Sequence, residues 1–173
     1  MELFDLFDRD RKPMGELMER GTPVPKDRFR QVVHIVIFNK EGKMLIQQRQ
    51  SFKKLWPNKW DISVGGSVIS GEKSYQGAER ELFEEIGVKY DLSNTRPSFT
   101  ANFEGGFDDF YILNLDLDID SLILQEEEVQ NAKWADYDEI KKLKQNDEFI
   151  DYHNGVIELL FSLKNIKYGF IND

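Results

Sequence analysis

Glu81, Glu84 and Glu85 stand at i, i+3 and i+4 within the segment Ser74 to Ile86. At 3.6 residues per helical turn this spacing gathers the three carboxylates on one arc roughly 100° wide. Ala78, Leu82 and Ile86 fall on the adjacent arc and form the stripe expected to be buried. Like charges at these spacings destabilise a helix by roughly a few tenths of a kcal/mol per pair. A divalent cation among them removes that repulsion. Hard carboxylate oxygens suit Mg2+ or Mn2+, bound together with waters and substrate phosphate oxygens. Such an ion lowers the pKa of a bound water and neutralises charge building on a phosphate under attack. A solvated acidic face also accounts for the triplet taken alone, so the neighbouring residues have to decide.

Gly65 and Gly66 precede the helix, and glycine belongs where backbone must approach a metal or a phosphate closely. A base for the attacking water would be one of the three glutamates or an acid on a nearby loop. Glu104, Asp108 and Asp109 are the candidates outside the helix, because they flank the Gly105-Gly106 turn just ahead of a strand. Acids beside a hairpin turn are also commonplace. His34 lies among apolar strand residues and reads as a core or pocket-lining histidine rather than a ligand. Glu126-Glu127-Glu128 reads as a solvated charge run.

The wider array is Gly66, five residues, Glu72, seven residues, Arg80-Glu81-Leu82, one residue, Glu84-Glu85, one residue, Gly87-Val88. It resembles the signature of the Nudix hydrolase family, with every fixed position filled. The resemblance implies an α/β/α sandwich with a mixed sheet and a loop-helix-loop carrying the chemistry. It implies that Glu81, Glu84 and Glu85 ligate Mg2+ or Mn2+ with help from the Gly65 carbonyl, and that Arg80 and Glu72 pair to fix the loop to the helix. Arg80 thereby joins the three glutamates in the catalytic set. A second likeness covers Arg49, Lys53, Lys54, Trp56, Pro57 and Trp60, which look like the same stretch of isopentenyl diphosphate isomerase, a relative within the Nudix fold. It makes Arg49 and Lys53 candidates to grip substrate phosphates. That enzyme's catalytic cysteine falls at Gly65 here and one of its metal-binding histidines at Ser67. The chain has no cysteine, so the hydrolytic reading is preferred over the isomerase and over a non-catalytic ligand-binding regulator on the same fold.

The elements that would hold these residues read as follows. Gln31 to Asn39 is apolar on both faces, as a central strand is. A turn leads to a second strand, Met44 to Arg49, and Trp60 to Val64 forms a third running into Gly65-Gly66. The helix from Ser74 to Ile86 ends at Gly87 as C-cap. Strands are expected near Ser98 to Phe103, Asp109 to Leu117 and Ala132 to Ala135. In the second of these, Leu113, Leu115, Leu117 and Ile119 alternate with Asn114, Asp116, Asp118 and Asp120, the mark of one wet face. Asp136 with Glu139 opens another helix, and a last helix spans about Gly155 to Leu163.

The length of 173 residues and the lack of any linker or repeat favour a single domain, with residues 1–28 as a packed N-terminal arm and 29–173 as the Nudix hydrolase domain. No stretch approaches the ~18–20 apolar residues of a membrane span, and the acidic start is no secretion signal. These features, with the absence of cysteine, lead to an expectation of the cytoplasm. A net charge of −9, from 23 basic against 32 acidic residues, argues against a long nucleic acid as partner. A small-molecule diphosphate remains compatible, since local cations and a metal reverse the field inside one pocket. The expected activity is hydrolysis of the diphosphate bond in a nucleoside diphosphate linked to another moiety X, by water attack on phosphorus. The sequence leaves the X group and the oligomeric state open.

Overall fold

The computed structural model describes residues 2–153 and 155–165. Its organising element is β3 (Arg30–Phe38), whose alternate side chains serve two cores. Val33, Ile35 and Ile37 point to one face, and Val36 and Phe38 to the other. Along one edge β3 runs parallel to β8 (Gly106–Asn114) for nine residue pairs, from Arg30↔Gly106 to Phe38↔Asn114. β7 (Phe99–Phe103) pairs antiparallel to the outer side of β8.

On its other edge β3 meets β4 (Met44–Arg49) at Phe38↔Met44. Beyond that pair the two strands take different neighbours. β4 pairs with β5 (Trp60–Ile62) and β9 (Val129–Ala135), while β3 pairs with β6 (Val64–Ser67). The third strand expected from the sequence is therefore two strands, divided at Ser63. The buried Ser63 hydroxyl accepts from the Ile37 amide (2.9 Å) and donates to the Leu45 carbonyl (2.6 Å), bridging the fork from which β3 and β4 part. The result is a seven-stranded mixed sheet.

Helix α1 (Ser74–Ile86) lays Ala78, Leu82 and Ile86 on the Val33 face, as the helical stripe predicts. Gly87 ends it at φ 74°, a left-handed conformation that glycine adopts without a Cβ clash. Helices α2 (Tyr137–Gln145) and α3 (Val156–Leu163) cover the opposite face through Ile140, Leu143, Ile157 and Leu160. Asp136 caps α2 by accepting the Glu139 amide at 2.8 Å, while the Glu139 carboxylate turns to Lys133. The layers are those of an α/β/α sandwich.

Two expectations change. The strand predicted to run to Leu117 ends at Asn114, because its partner β3 ends at Phe38. The last backbone bond joins the Leu115 amide to the Phe38 carbonyl. Leu115, Leu117 and Ile119 still pack against the α1-side core, the last within a 3-10 turn, Ile119–Ser121, whose Asp118 carboxylate accepts the Asp120 amide. The N-terminal segment, expected as a packed arm, holds a strand β1 (Leu3–Phe7) and a second one after it. This β2 (Pro13–Glu19) forms a hairpin with β1 and closes Phe4, Leu6 and Met18 over Val24 and Ile69. Asp5 accepts from the Ser70 hydroxyl and the Gly71 amide, each at 2.9 Å, so the hairpin is tied to the loop between β6 and α1.

Candidate active site

Strand alternation and pairing sort the site onto two faces. Gly66 faces α1, and a Cβ there would collide with the Glu81 carboxylate. Gly65, one residue earlier, faces the other way, and a Cβ there would strike the His34 ring. The missing side chains are thus what lets an acid approach β6 from one side and an imidazole from the other. Position 65 has no room for the side chain of a cysteine while His34 holds this orientation.

Arg80 organises the box. Its Nε and Nη2 grip both Glu72 oxygens (2.9 and 3.2 Å), Nη2 also donates to the Ser67 carbonyl (2.8 Å), and Nη1 reaches Glu81 (2.8 Å) and Glu84 (3.0 Å). Burial pulls its pKa down, but the Glu72 and Glu81 carboxylates more than offset this and raise it. Glu72 in turn accepts the Ile69 amide at 3.1 Å. The Arg80–Glu72 pair implied by the resemblance is present, and it clamps the loop 67–72 onto α1.

The three glutamates share an arc but differ in burial. Glu85 is 6% exposed. Its Oε2 accepts the Gln47 side-chain amide at 2.9 Å and lies 3.4 Å from the Gly65 nitrogen. Burial, then the neighbouring Glu81 charge, pushes its pKa well above the usual carboxylate range. Glu81 is pushed up to about 7, chiefly by burial, against the opposing pull of Arg80. Glu84 is exposed and bound to Arg80. The water-exposed acidic face expected for the triplet is therefore realised at Glu84 alone. The side chain of Gln47 contributes a second buried polar atom, Oε1, which has no hydrogen-bond partner among the described residues. Among the described residues no three acidic or imidazole groups stand ready-gathered as a metal cluster, since the Arg80 guanidinium stands between Glu81 and Glu84.

The residues predicted outside the box fare differently. Arg49 stands 3.8 Å from the Asp61 carboxylate and donates to the Leu55 carbonyl at 3.3 Å. Lys53 is held by Glu128 at 2.5 Å, so one member of the 126–128 run has a partner. Asp109 is buried and accepts from Gln31 (2.8 Å), Ser74 (2.6 Å) and Thr100 (2.6 Å). Strand alternation turns it to the α1 face, where it fastens the start of α1 to the sheet. Asp108 points to the opposite face and meets His34 Nδ1 at 2.6 Å. Glu104 is exposed at the β7–β8 turn and lines a surface depression with residues 24–29, none of them from the box.

His34 is the pocket-lining histidine expected from the sequence, whereas sequence reading missed its polar neighbours Tyr152, Asp61 and Arg30. His34 stacks on Phe110 (ring centroids 5.1 Å apart) and meets Tyr152 edge-on. Burial lowers its pKa, but Asp108 more than offsets this and leaves it raised. Tyr152 donates to the buried Asp61 at 2.5 Å. Arg30 donates from Nη1 to the Ser67 hydroxyl at 2.8 Å. The available signal was the period of two in Arg30, Val32 and His34, which puts all three on one strand face. It carries no information about which later strands supply Ser67 and Asp108.

The NUDIX domain family model matches residues 28–153. An uncharacterized Nudix hydrolase of Listeria monocytogenes is 42% identical over 165 residues, covering 95% of this chain and 96% of that protein. Nudix hydrolase 3 of Arabidopsis thaliana is 29% identical across 94% of this chain, which matches 23% of that longer protein. A crystal structure from Deinococcus radiodurans superposes with a TM-score of 0.74 at 24% identity, covering 94% of this chain and 99% of that one, and shares the fold. The chain belongs to the NUDIX family, as a Nudix hydrolase with the pyrophosphohydrolase activity general to that family. Among the described residues no helix is long and apolar enough to cross a membrane.

Proposed function

We propose that the chain hydrolyses the diphosphate bond of a nucleoside diphosphate linked to another moiety, using Mg2+ or Mn2+ and attack of water on phosphorus. The observation that carries this reading is the burial of the Glu85 carboxylate, with the part-buried Glu81 beside it, against the side-chain-free edge of Gly65 and Gly66. Burying a carboxylate such as Glu85, whose hydrogen bonds come only from neutral donors, is unfavourable unless a cation joins it, and the donor set is all oxygen, which suits a hard divalent ion. Glu81, Glu84, Glu85 and the Gly65 carbonyl would hold it. When bound, it supplies an acidified water and neutralises charge on the phosphate.

The protein's own groups do the positioning. Arg80 fixes Glu81 and Glu84 relative to the Ser67 carbonyl, and Gln47 orients Glu85. Release of Glu84 from Arg80 frees its carboxylate for the ion. A screen of diphosphate compounds with Mg2+ and Mn2+, read by phosphate release, tests the reading. Turnover is expected in the wild type, with kcat lowered at least ~100-fold in Glu84→Gln and in Glu85→Gln. The same metals should raise the wild-type melting temperature at constant ionic strength, by the equivalent of about 2.7 kcal/mol at a hundredfold excess over Kd. In the double variant they should raise it far less. Near-normal kcat in either variant would remove that glutamate from the metal site. Tight binding without phosphate release would point instead to a regulator.

A further inference from the structure

The two cations that the sequence offers for the substrate's phosphates each have a carboxylate nearby. Arg49 stands by Asp61, and Lys53 is bonded to Glu128. Arg80 is surrounded by carboxylates. Arg30 is different. It is half-buried and forms no ion pair among the described residues, and its one side-chain hydrogen bond runs from Nη1 to the neutral Ser67 hydroxyl. Nε and Nη2, the side-on edge that fits two oxygens of a carboxylate or phosphate at once, make no hydrogen bond among those residues.

Position and rigidity support the same use. Arg30 opens β3, where its amide donates to the Gly105 carbonyl at 3.0 Å and its backbone pairs with Gly106, whose lack of a Cβ leaves room for the Arg30 carbonyl. Its guanidinium lies over the Phe103 ring, 5.6 Å from the centroid. The Val32↔Ser67 and His34↔Gly65 pairs put Arg30, Ser67, Gly65 and His34 on one face, immediately beside the glycine edge. Arg20, at the end of the N-terminal hairpin, donates to Glu2 at 2.8 Å, and its field reaches both Arg30 and Glu81. Asp108, bonded to His34, acts on Arg30 more strongly than Arg20 does.

We propose that Arg30, steadied by Ser67, is the residue that grips the substrate's diphosphate, with the Nε–Nη2 edge taking two oxygens of the phosphoryl group beside the one held at the glutamates. This rests on the hydrolase reading above. It makes the N-terminal hairpin part of the site through Arg20, and it assigns Arg49 and Lys53 to holding the loop 50–59 against Asp61 and Glu128.

The probe is inorganic pyrophosphate, titrated calorimetrically into the full chain with no divalent cation present. Arg30→Gln should weaken binding at least tenfold relative to the wild type. Arg30→Lys, which keeps the charge but loses the fork, should fall between them, and Arg49→Gln should weaken it less than Arg30→Gln. On any diphosphate that the wild type hydrolyses, Arg30→Gln should raise KM more than it lowers kcat. If Arg30→Gln is poorly folded in a thermal melt, the Arg30→Lys comparison decides. A wild type that does not bind pyrophosphate, or folded Arg30 variants that bind it as the wild type does, would overturn the assignment. Loss of pyrophosphate binding in a protein that hydrolyses nothing would sink the hydrolase reading and leave the anion site standing. Turnover with KM unchanged in Arg30→Gln would do the reverse.

Discussion

Arg80 and Arg30 sit on either side of one short strand and both reach Ser67, the first through its carbonyl and the second through its hydroxyl. Arg80 makes five hydrogen bonds there, four of them to carboxylates. Among the described residues Arg30 makes one, to a neutral group. The first is a structural clamp whose charge is spent within the fold. The second is a charge held in place with its best binding edge free. The contrast teaches that a charged side chain's role follows from what already satisfies it, more than from its type or its distance from the chemistry.

The sharpest way to break the comparison is to neutralise both arginines and measure stability. Arg80→Gln leaves Glu72 and Glu81 largely buried without their partner, a change that costs about 3 kcal/mol or more. Chemical denaturation should show that loss in Arg80→Gln, whereas Arg30→Gln should stay within about 1 kcal/mol of the wild type. Equal losses would mean that Arg30 is as structural as Arg80.

Asp109 provides an intermediate case, because it too was expected near the chemistry and is consumed by structure. Asp109→Asn replaces an acceptor of three hydrogen bonds with an amide that matches them poorly, and should destabilise by about 1–3 kcal/mol. The hydrolytic rate of the folded fraction should change little beside that of the box variants. A rate loss comparable to Glu85→Gln, with stability intact, would restore Asp109 as a participant.

The smallest effect concerns His34, on the Arg30 face. Its pKa is raised in the fold by Asp108, so the protonated ring is favoured by folding. The pair therefore contributes stability that is fully present below the ordinary histidine pKa and is lost as pH rises through the folded value. Comparing wild type and His34→Gln by denaturation across pH 5 to 9 should show the wild type losing stability relative to the variant on going upward. A parallel pair of curves would mean that folding leaves the imidazole pKa unchanged.

Local sequence spacing determined a large part of this protein. The stripe of Ala78, Leu82 and Ile86, the Gly87 cap and the central strand were all legible, because each depends on residues within one helix or one strand, whereas the Glu72–Arg80 clamp was an implication of the family resemblance. Helical geometry fixes such relations before any tertiary contact forms. What the spacing left open is which of three equivalent carboxylates would be buried. That depends on where β6 lies against α1, and the structure buries Glu85, half-buries Glu81 and leaves Glu84 outside. Strand ends were decided the same way, since β8 stops where β3 gives it no further partner. The polar face of Arg30, Ser67, His34 and Asp108 joins three strands that are distant in sequence. Pairing register alone decides which side chains meet across a sheet, and a shift of one residue would turn each of them to the other side.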